Sequence, residues 1–215
     1  MRRIPGALLA LVLSGPAVAE VPSVLGGKLV PAGTTAHNVG AGIPGIYYEW
    51  WQGGWDFDWA FHGGLVYEHW SGAWFDVQAG LELELPMRFR LGGGDSIHVA
   101  FRVAPGLLVA DAGTTVLGVR GDVGAVVSVD VHPRANLVTG VTAPVTVVIP
   151  VGGGDNGVLV PVLGRLGLES FASSGTAVFL LLELGPVFRV LPDVGRGQDR
   201  AKLGSRFWLG VTFYM

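Results

Sequence analysis

The chain has no cysteine in its 215 residues. This excludes a disulfide framework and a lipid anchored through cysteine, so the fold must be stable without covalent staples. Charge is also scarce: 14% of residues are Asp, Glu, Lys or Arg, against roughly a quarter in an ordinary soluble domain. Lysine is nearly missing, with Lys28 the one example before Lys202. The net charge of −3 carries no basic excess, and so no sign of a nucleic-acid partner. Half of the residues are hydrophobic, yet beyond the amino terminus there is no run of 18 apolar residues free of charges, prolines and glycine clusters. A membrane-spanning helix is therefore not expected. If so apolar a chain crosses a membrane, it does so with strands.

The amino terminus has the layout of an export signal. Arg2 and Arg3 form a basic start, residues 7–13 an apolar centre, and Ala17, Val18 and Ala19 a small-residue cleavage pattern. The apolar centre is far short of the roughly 20 residues needed to span a bilayer as a helix. Residues 1–19 are expected to be a cleaved signal peptide, and residues 20–215 a single exported domain.

What the chain has in abundance is a period of two. In residues 76–91, DVQAGLELELPMRFRL, the odd positions Val77, Ala79, Leu81, Leu83, Leu85, Met87, Phe89 and Leu91 are apolar. The even positions include Asp76, Gln78, Glu82, Glu84, Arg88 and Arg90. Successive strand side chains point to opposite faces, so this is a two-faced strand. The alternation recurs. Ile97, Val99, Phe101, Val103, Leu107 and Val109 oppose His98 and Arg102, and Leu117, Val119, Val123, Val127, Val129 and Val131 oppose Arg120, Asp122 and Asp130. Val178, Leu180, Leu182, Leu184 and Phe188 oppose Glu183 and Arg189. Short clusters of Gly, Asp, Asn, Ser or Pro at residues 52–54, 71–73, 92–95, 111–115, 132–135, 152–157, 172–175 and 192–202 separate the units, as hairpin turns do. These eight turns delimit nine strands.

A soluble barrel would put the apolar face inside and cover the polar face with Lys, Glu, Gln and Thr. Here the polar faces are thin, with few charges among many Gly, Ala and Ser residues. They suit a confined lumen, and the apolar faces suit lipid. Tyr47, Tyr48, Trp50, Trp51, Trp55, Trp59, Trp70 and Trp74 crowd strand ends and turns, where amphipathic rings sit at a membrane interface. At about 3.3 Å per residue, a strand of roughly 16 residues runs about 53 Å. Tilted near 45°, it rises about 37 Å, more than an apolar band of about 25 Å. Prolines 44, 86, 105, 144, 161 and 186 cannot donate to a ladder and predict bulges, bends or strand ends. A bulge is expected at Pro44-Gly45, because the apolar parity switches there from Val39, Ala41 and Ile43 to Ile46, Tyr48 and Trp50.

The chain closes with Arg206 to Met215, RFWLGVTFYM. Here it resembles the small outer-membrane β-barrel proteins of Gram-negative bacteria, whose last strand carries alternating hydrophobic and aromatic residues read by the barrel assembly machinery. Phe207, Leu209, Val211 and Phe213 match the alternation, and Gly210, three residues before Phe213, matches the recognition pattern. The final residue departs from it, since the family usually ends in Phe and this chain ends in Met215. The resemblance implies an all-β, antiparallel up-and-down transmembrane β-barrel in the bacterial outer membrane. Its partners would be outer-membrane lipid and the assembly machinery, with any extracellular or periplasmic partner unidentified. Both termini of such barrels lie in the periplasm, so strands come in even numbers. Counting residues 24–30 as a short strand gives ten, with eight as the alternative. The connection 192–202 is then extracellular and the turn 173–175 periplasmic.

On this reading Glu82, Glu84, Arg88, Arg90, Arg102, Arg120, Asp122, Arg165, Glu169, Glu183, Arg189 and Arg206 point inward with mixed signs. They are expected to form ion pairs that plug the barrel, and a narrow ion or solute path is the alternative. A lipid-modifying enzyme would need a histidine beside a nucleophile. Ser96 and His98 share a face, with Glu68 or Asp76 as orienting groups, but such spacing arises easily by chance, and no catalytic residue is assigned. Asp56, Asp58 and His62 could hold a cation, though a solvated carboxylate rim is the simpler reading. The glycine runs before Asp95 and Asp155 lack a following helix and lysine, so they are hairpin loops and not phosphate cradles. No cofactor is implied. The function expected is structural or surface-interacting, with a small porin and then a lipid-modifying enzyme as alternatives.

Overall fold

The computed structural model describes residues 22–67, 79–111, 114–153, 156–190 and 201–215. The expected signal peptide, the turn at 71–73, most of the 192–202 connection, Glu68, Trp70, Trp74 and Asp76 lie outside these residues. Twelve β segments follow in order: β1 (Thr35–Ile43), β2 (Gly45–Gln52), β3 (Phe57–Val66), β4 (Ala79–Glu84), β5 (Met87–Gly93), β6 (Ile97–Asp111), β7 (Thr115–His132), β8 (Ala135–Pro150), β9 (Gly157–Pro161), β10 (Leu163–Ser173), β11 (Thr176–Val190) and β12 (Ala201–Tyr214). There is no helix among the described residues.

All pairings are antiparallel. β4 and β5 both pair with β3 and β6, and β9 and β10 both pair with β8 and β11, so each couple is one strand interrupted once. The ring closes where β12 pairs with β1, from Ala36 opposite Tyr214 to Ile43 opposite Phe207. The result is a ten-stranded up-and-down barrel without a free sheet edge between first and last strands, the arrangement expected from the alternation.

The two interruptions fall at prolines, but Pro105, Pro144 and Pro186, where the sequence also predicts a bulge, bend or strand end, lie inside β6, β8 and β11 with the register unbroken. Pro86 separates β4 from β5, and Pro161 ends β9. Their carbonyls and neighbours still bond across the wall: Ala60 N–H donates to Pro86 O (2.7 Å), Leu85 N–H to Pro105 O (2.8 Å) and Val162 N–H to Pro186 O (2.9 Å). The chain thus stays in register where a donor is missing.

Two further expectations fail here. Residues 24–30 are not a strand, and the tenth strand arises instead from the stretch read as one unit around Pro44. That proline marks a chain reversal, not a bulge: β1 and β2 pair with each other from Thr35 opposite Gln52 to Ala41 opposite Ile46. A bulge and a tight reversal both switch the apolar parity, so periodicity does not separate them.

Outside, the wall is apolar. Leu81, Leu83, Phe89, Leu107, Val109, Leu117, Val119, Val123, Leu180, Leu182, Leu209 and Phe213 are all exposed, while Glu49, Asp58, Glu82, Arg88, Arg120, Glu169 and Glu183 are buried inside. This is the inverse of a water-soluble barrel. Part of the aromatic content forms an external cluster near one end, where Trp50 lies edge-on to Trp59 (5.4 Å between centroids) and stacked on Phe61 (6.0 Å). Tyr47 and Trp51, expected at an interface with lipid, are instead inside and buried. After the reversal at Pro44 the odd residues of β2 face inward, which takes Tyr47, Glu49 and Trp51 into the lumen together.

Candidate functional site

The lumen is filled from two sources. The first is the chain's own start. Residues 22–31 have no regular structure and sit inside the barrel, with Ser23, Val24, Leu25, Lys28, Leu29 and Val30 all buried. They enter and leave at the same mouth, the one that carries both ends of the described chain and the turns at 53–56, 94–96, 133–134 and 174–175. Tyr214 O–H donates to Pro22 O (3.4 Å) at that mouth.

Strand side chains hold the main chain of this plug. Glu169 Oε1 on β10 accepts from the N–H groups of Val24 (3.2 Å) and Leu25 (3.3 Å). Asp58 Oδ2 on β3 accepts from Val30 N–H (2.8 Å), and Ser128 Oγ on β7 accepts from Lys28 N–H (3.3 Å). Arg88 on β5 donates to Gly26 O (2.7 Å) and closes a fully buried pair with Asp58, its Nε 3.0 Å from Oδ1 and its Nη2 2.5 Å from Oδ2. The Arg88 guanidinium also lies over the Trp51 ring, 4.4 Å from its centroid. Lys28 Nζ reaches Asp130 at 2.8 and 3.0 Å.

Apolar packing completes the seat. Val24, Leu25 and Val30 join Trp51, Tyr47, Val138, Phe179, Leu181 and Trp208 in one cluster, and Leu29 packs on Ala100 and Val126. Room for the plug comes from small inward residues such as Ala36, Ala60 and Ala100. Gly40 on β1 stands opposite Gly210 on β12. The Tyr47 ring covers the first and the Phe179 ring the second, so a Cβ at either would collide with an aromatic ring. The glycine of the closing-strand pattern therefore has a packing reason in this barrel.

Above the plug lies a layer of charges. His62 on β3 is shared by two carboxylates, Nδ1 3.2 Å from Glu49 Oε1 and Nε2 3.1 Å from Glu82 Oε1. Ionised carboxylates only accept, so both ring nitrogens donate and the ring is an imidazolium. Arg120 on β7 donates to Glu82 and meets Glu84 Oε1 at 3.3 Å. Arg102 Nε meets Asp122 (3.1 Å), and Glu183 on β11 sits between Arg165 (3.0 Å) and Arg206 (3.8 Å). Glu49 also accepts from Asn38 Nδ2 (2.7 Å) and Trp51 Nε1 (3.0 Å), and Asn38 in turn accepts from Thr212 (3.1 Å). In this layer five carboxylates face four guanidiniums and one imidazolium, so the charges balance. The space left between them, floored by Val24 and Leu25, is about 70 Å³, room for a few waters at most.

Eight of the twelve expected lumen charges meet here: Glu82, Glu84, Arg102, Arg120, Asp122, Arg165, Glu183 and Arg206. Arg88 and Glu169 are also inside but serve the plug. Arg90 is exposed at the proximal mouth, the one through which residues 22–31 enter and leave, lining an open pocket of about 720 Å³ with Trp55, Asp56 and His98. Arg189 stands outside the layer on β11, opposite Leu159. Glu49, His62, Asp58, Lys28 and Asp130 were missed as lumen partners. The solvated rim expected of Asp56, Asp58 and His62 does not exist as a group: Asp58 is fully buried against Arg88, His62 is in the charge layer, and only Asp56 is at the mouth. No cluster of three or more His, Cys, Asp or Glu side chains suited to a metal ion occurs among the described residues. His98 faces Asp130 at 3.7 Å near the proximal mouth, and the orienting groups considered for it, Glu68 and Asp76, are outside the described residues. Phe207, Leu209 and Phe213 of the closing strand point outward.

No family model matches the chain, and no curated protein sequence matches it. Among solved structures it is similar to the outer membrane protease OmpT from Escherichia coli, with 7% identity, 87% of this chain and 98% of that chain covered, and a TM-score of 0.43. It is also similar to a NanC porin, with 12% identity, 84% and 98% covered, and a TM-score of 0.28. At such identities and scores neither protein's activity transfers to this chain.

Proposed function

We propose that this protein is an outer-membrane β-barrel with a closed lumen, acting as a structural or surface-interacting element and not as a pore. Its inverted polarity supports membrane insertion. A ring of exposed Leu, Val and Phe suits lipid, and an arginine on that face would cost roughly 2 to 4 kcal/mol near the midplane. The single observation that carries the closed state is the double filling of the lumen, by residues 22–31 at one mouth and by the neutral charge layer above them. An ion would have to break paired, desolvated charges to pass. The short turns and both ends of the described chain then face the periplasm, as in bacterial barrels of this kind.

Planar-bilayer recording of the purified, refolded protein tests the reading, and a silent membrane is the expected result. Discrete, reproducible openings would instead establish the small-porin alternative. Membrane fractionation with a heat-modifiability gel shift tests the location. The folded protein should partition with outer membranes and migrate differently after boiling.

A further inference from the structure

The contacts that seat residues 22–31 are unlike those that build the barrel. The segment adds no strand to the sheet. Five strand side-chain contacts reach its main chain instead, from Glu169 to Val24 and Leu25, Asp58 to Val30, Ser128 to Lys28 and Arg88 to Gly26. Both ends open to the same mouth. Selectivity comes from two places. A Cβ on Gly26 would collide with Ser128, and one on Gly27 with the His98 and Val126 carbonyls. One position later, Lys28 meets Asp130 at the mouth. The strands thus read a backbone, require a glycine at Gly27, where backbone carbonyls close in, crowd a side chain at Gly26 against Ser128, then take a cation, and offer apolar room on either side to Val24, Leu25, Leu29 and Val30. That is the way a groove holds a peptide ligand.

We propose that the proximal half of the lumen is a peptide-binding site. Residues 22–31 are its resident ligand, and a free peptide of the same chemistry, apolar-Gly-Gly-Lys-apolar, can replace them from the periplasmic side. The proposal rests on the closed-barrel reading, because it assigns the plug a second role as an exchangeable ligand. Exchange by this route leaves the barrel wall intact, since no ladder bond has to break.

The test uses the full chain. A Gly27→Leu substitution should expel the resident segment, so that a Ser23→Cys side chain, protected in the otherwise native protein, reacts with a membrane-impermeant maleimide. A labelled synthetic peptide spanning residues 22–31 should then bind the Gly27→Leu protein saturably, by fluorescence anisotropy, at least about tenfold more tightly than it binds the native protein, whose site is filled. The same peptide carrying Gly27→Leu should not bind. Lys28→Glu, which places a carboxylate against Asp130, is a second route to the emptied site and is read in the same way. A Ser23→Cys side chain still protected in both backgrounds would overturn the proposal, as would an expelled segment whose site takes up no peptide. Channel openings from the native protein would overturn the closed-barrel reading and this inference with it, whereas failed peptide uptake with a silent bilayer would overturn this inference alone.

Discussion

At the residue scale, the lumen is decided by which polar atoms have partners. His62 carries the one charge that joins Glu49 to Glu82. His62→Leu would leave those carboxylates without their shared cation in a desolvated layer. The expected cost is about 3 to 5 kcal/mol, seen as a lower urea midpoint for unfolding in detergent. Glu169 separates a hydrogen-bonding role from a charge role. In Glu169→Gln the amide oxygen still accepts from Val24 and Leu25, and stability should change little. In Glu169→Leu two buried N–H groups lose their acceptor, and about 1 to 3 kcal/mol should be lost for each. Equal effects of the two substitutions in the same urea titration would show that the backbone bonds to Glu169 do not hold the plug.

At the element scale, each strand has an inner and an outer program written on alternate residues. β7 shows both: Val116, Arg120, Val126 and Ser128 are buried, whereas Leu117, Val119, Val123 and Val131 are exposed. If the outer face meets lipid, the cost of a charge there depends on depth. Val123→Arg, near the middle of β7, should cost about 2 to 4 kcal/mol, and Val131→Arg, at the proximal end, about 0 to 1 kcal/mol. The comparison is made by denaturant titration in lipid bilayers, and equal costs would place the midplane elsewhere. The shortness of β1 and β2 belongs to the same scale. Nine and eight residues joined at Pro44 form a low hairpin in a wall that rises to 18 residues in β7.

At the scale of the whole molecule, the barrel has two closures stacked on one path. Removing one should not open it. The Gly27→Leu protein, with the resident segment displaced, should remain silent in planar bilayers because the ion-pair layer above the segment still stands. Combined with Arg120→Ala, which takes the central guanidinium from Glu82 and Glu84, it should show discrete openings. Steady conductance from Gly27→Leu alone would mean that the plug is the only barrier.

Alternation made the strands and their two faces legible, the thin polar faces pointed to a confined interior, and the closing-strand resemblance implied the closed antiparallel barrel; of the twelve charges expected inside, Arg90 nonetheless lies exposed at the mouth. A strand forces neighbours to opposite faces, so a period of two in the sequence is already a statement about two environments. What tertiary structure alone decided is the use of the segments without that period. Residues 22–31 carry Val, Leu, two glycines and Lys28 in no alternation, and their place depends on Glu169, Asp58, Ser128 and Arg88, which are brought there from distant strands. The reversal at Pro44 was equally hidden, because it shifts parity just as a bulge would, and with it went the inward turn of Tyr47, Glu49 and Trp51. Local periodicity records which face a residue takes within its own strand, while the partner across a lumen is set only when the ring closes.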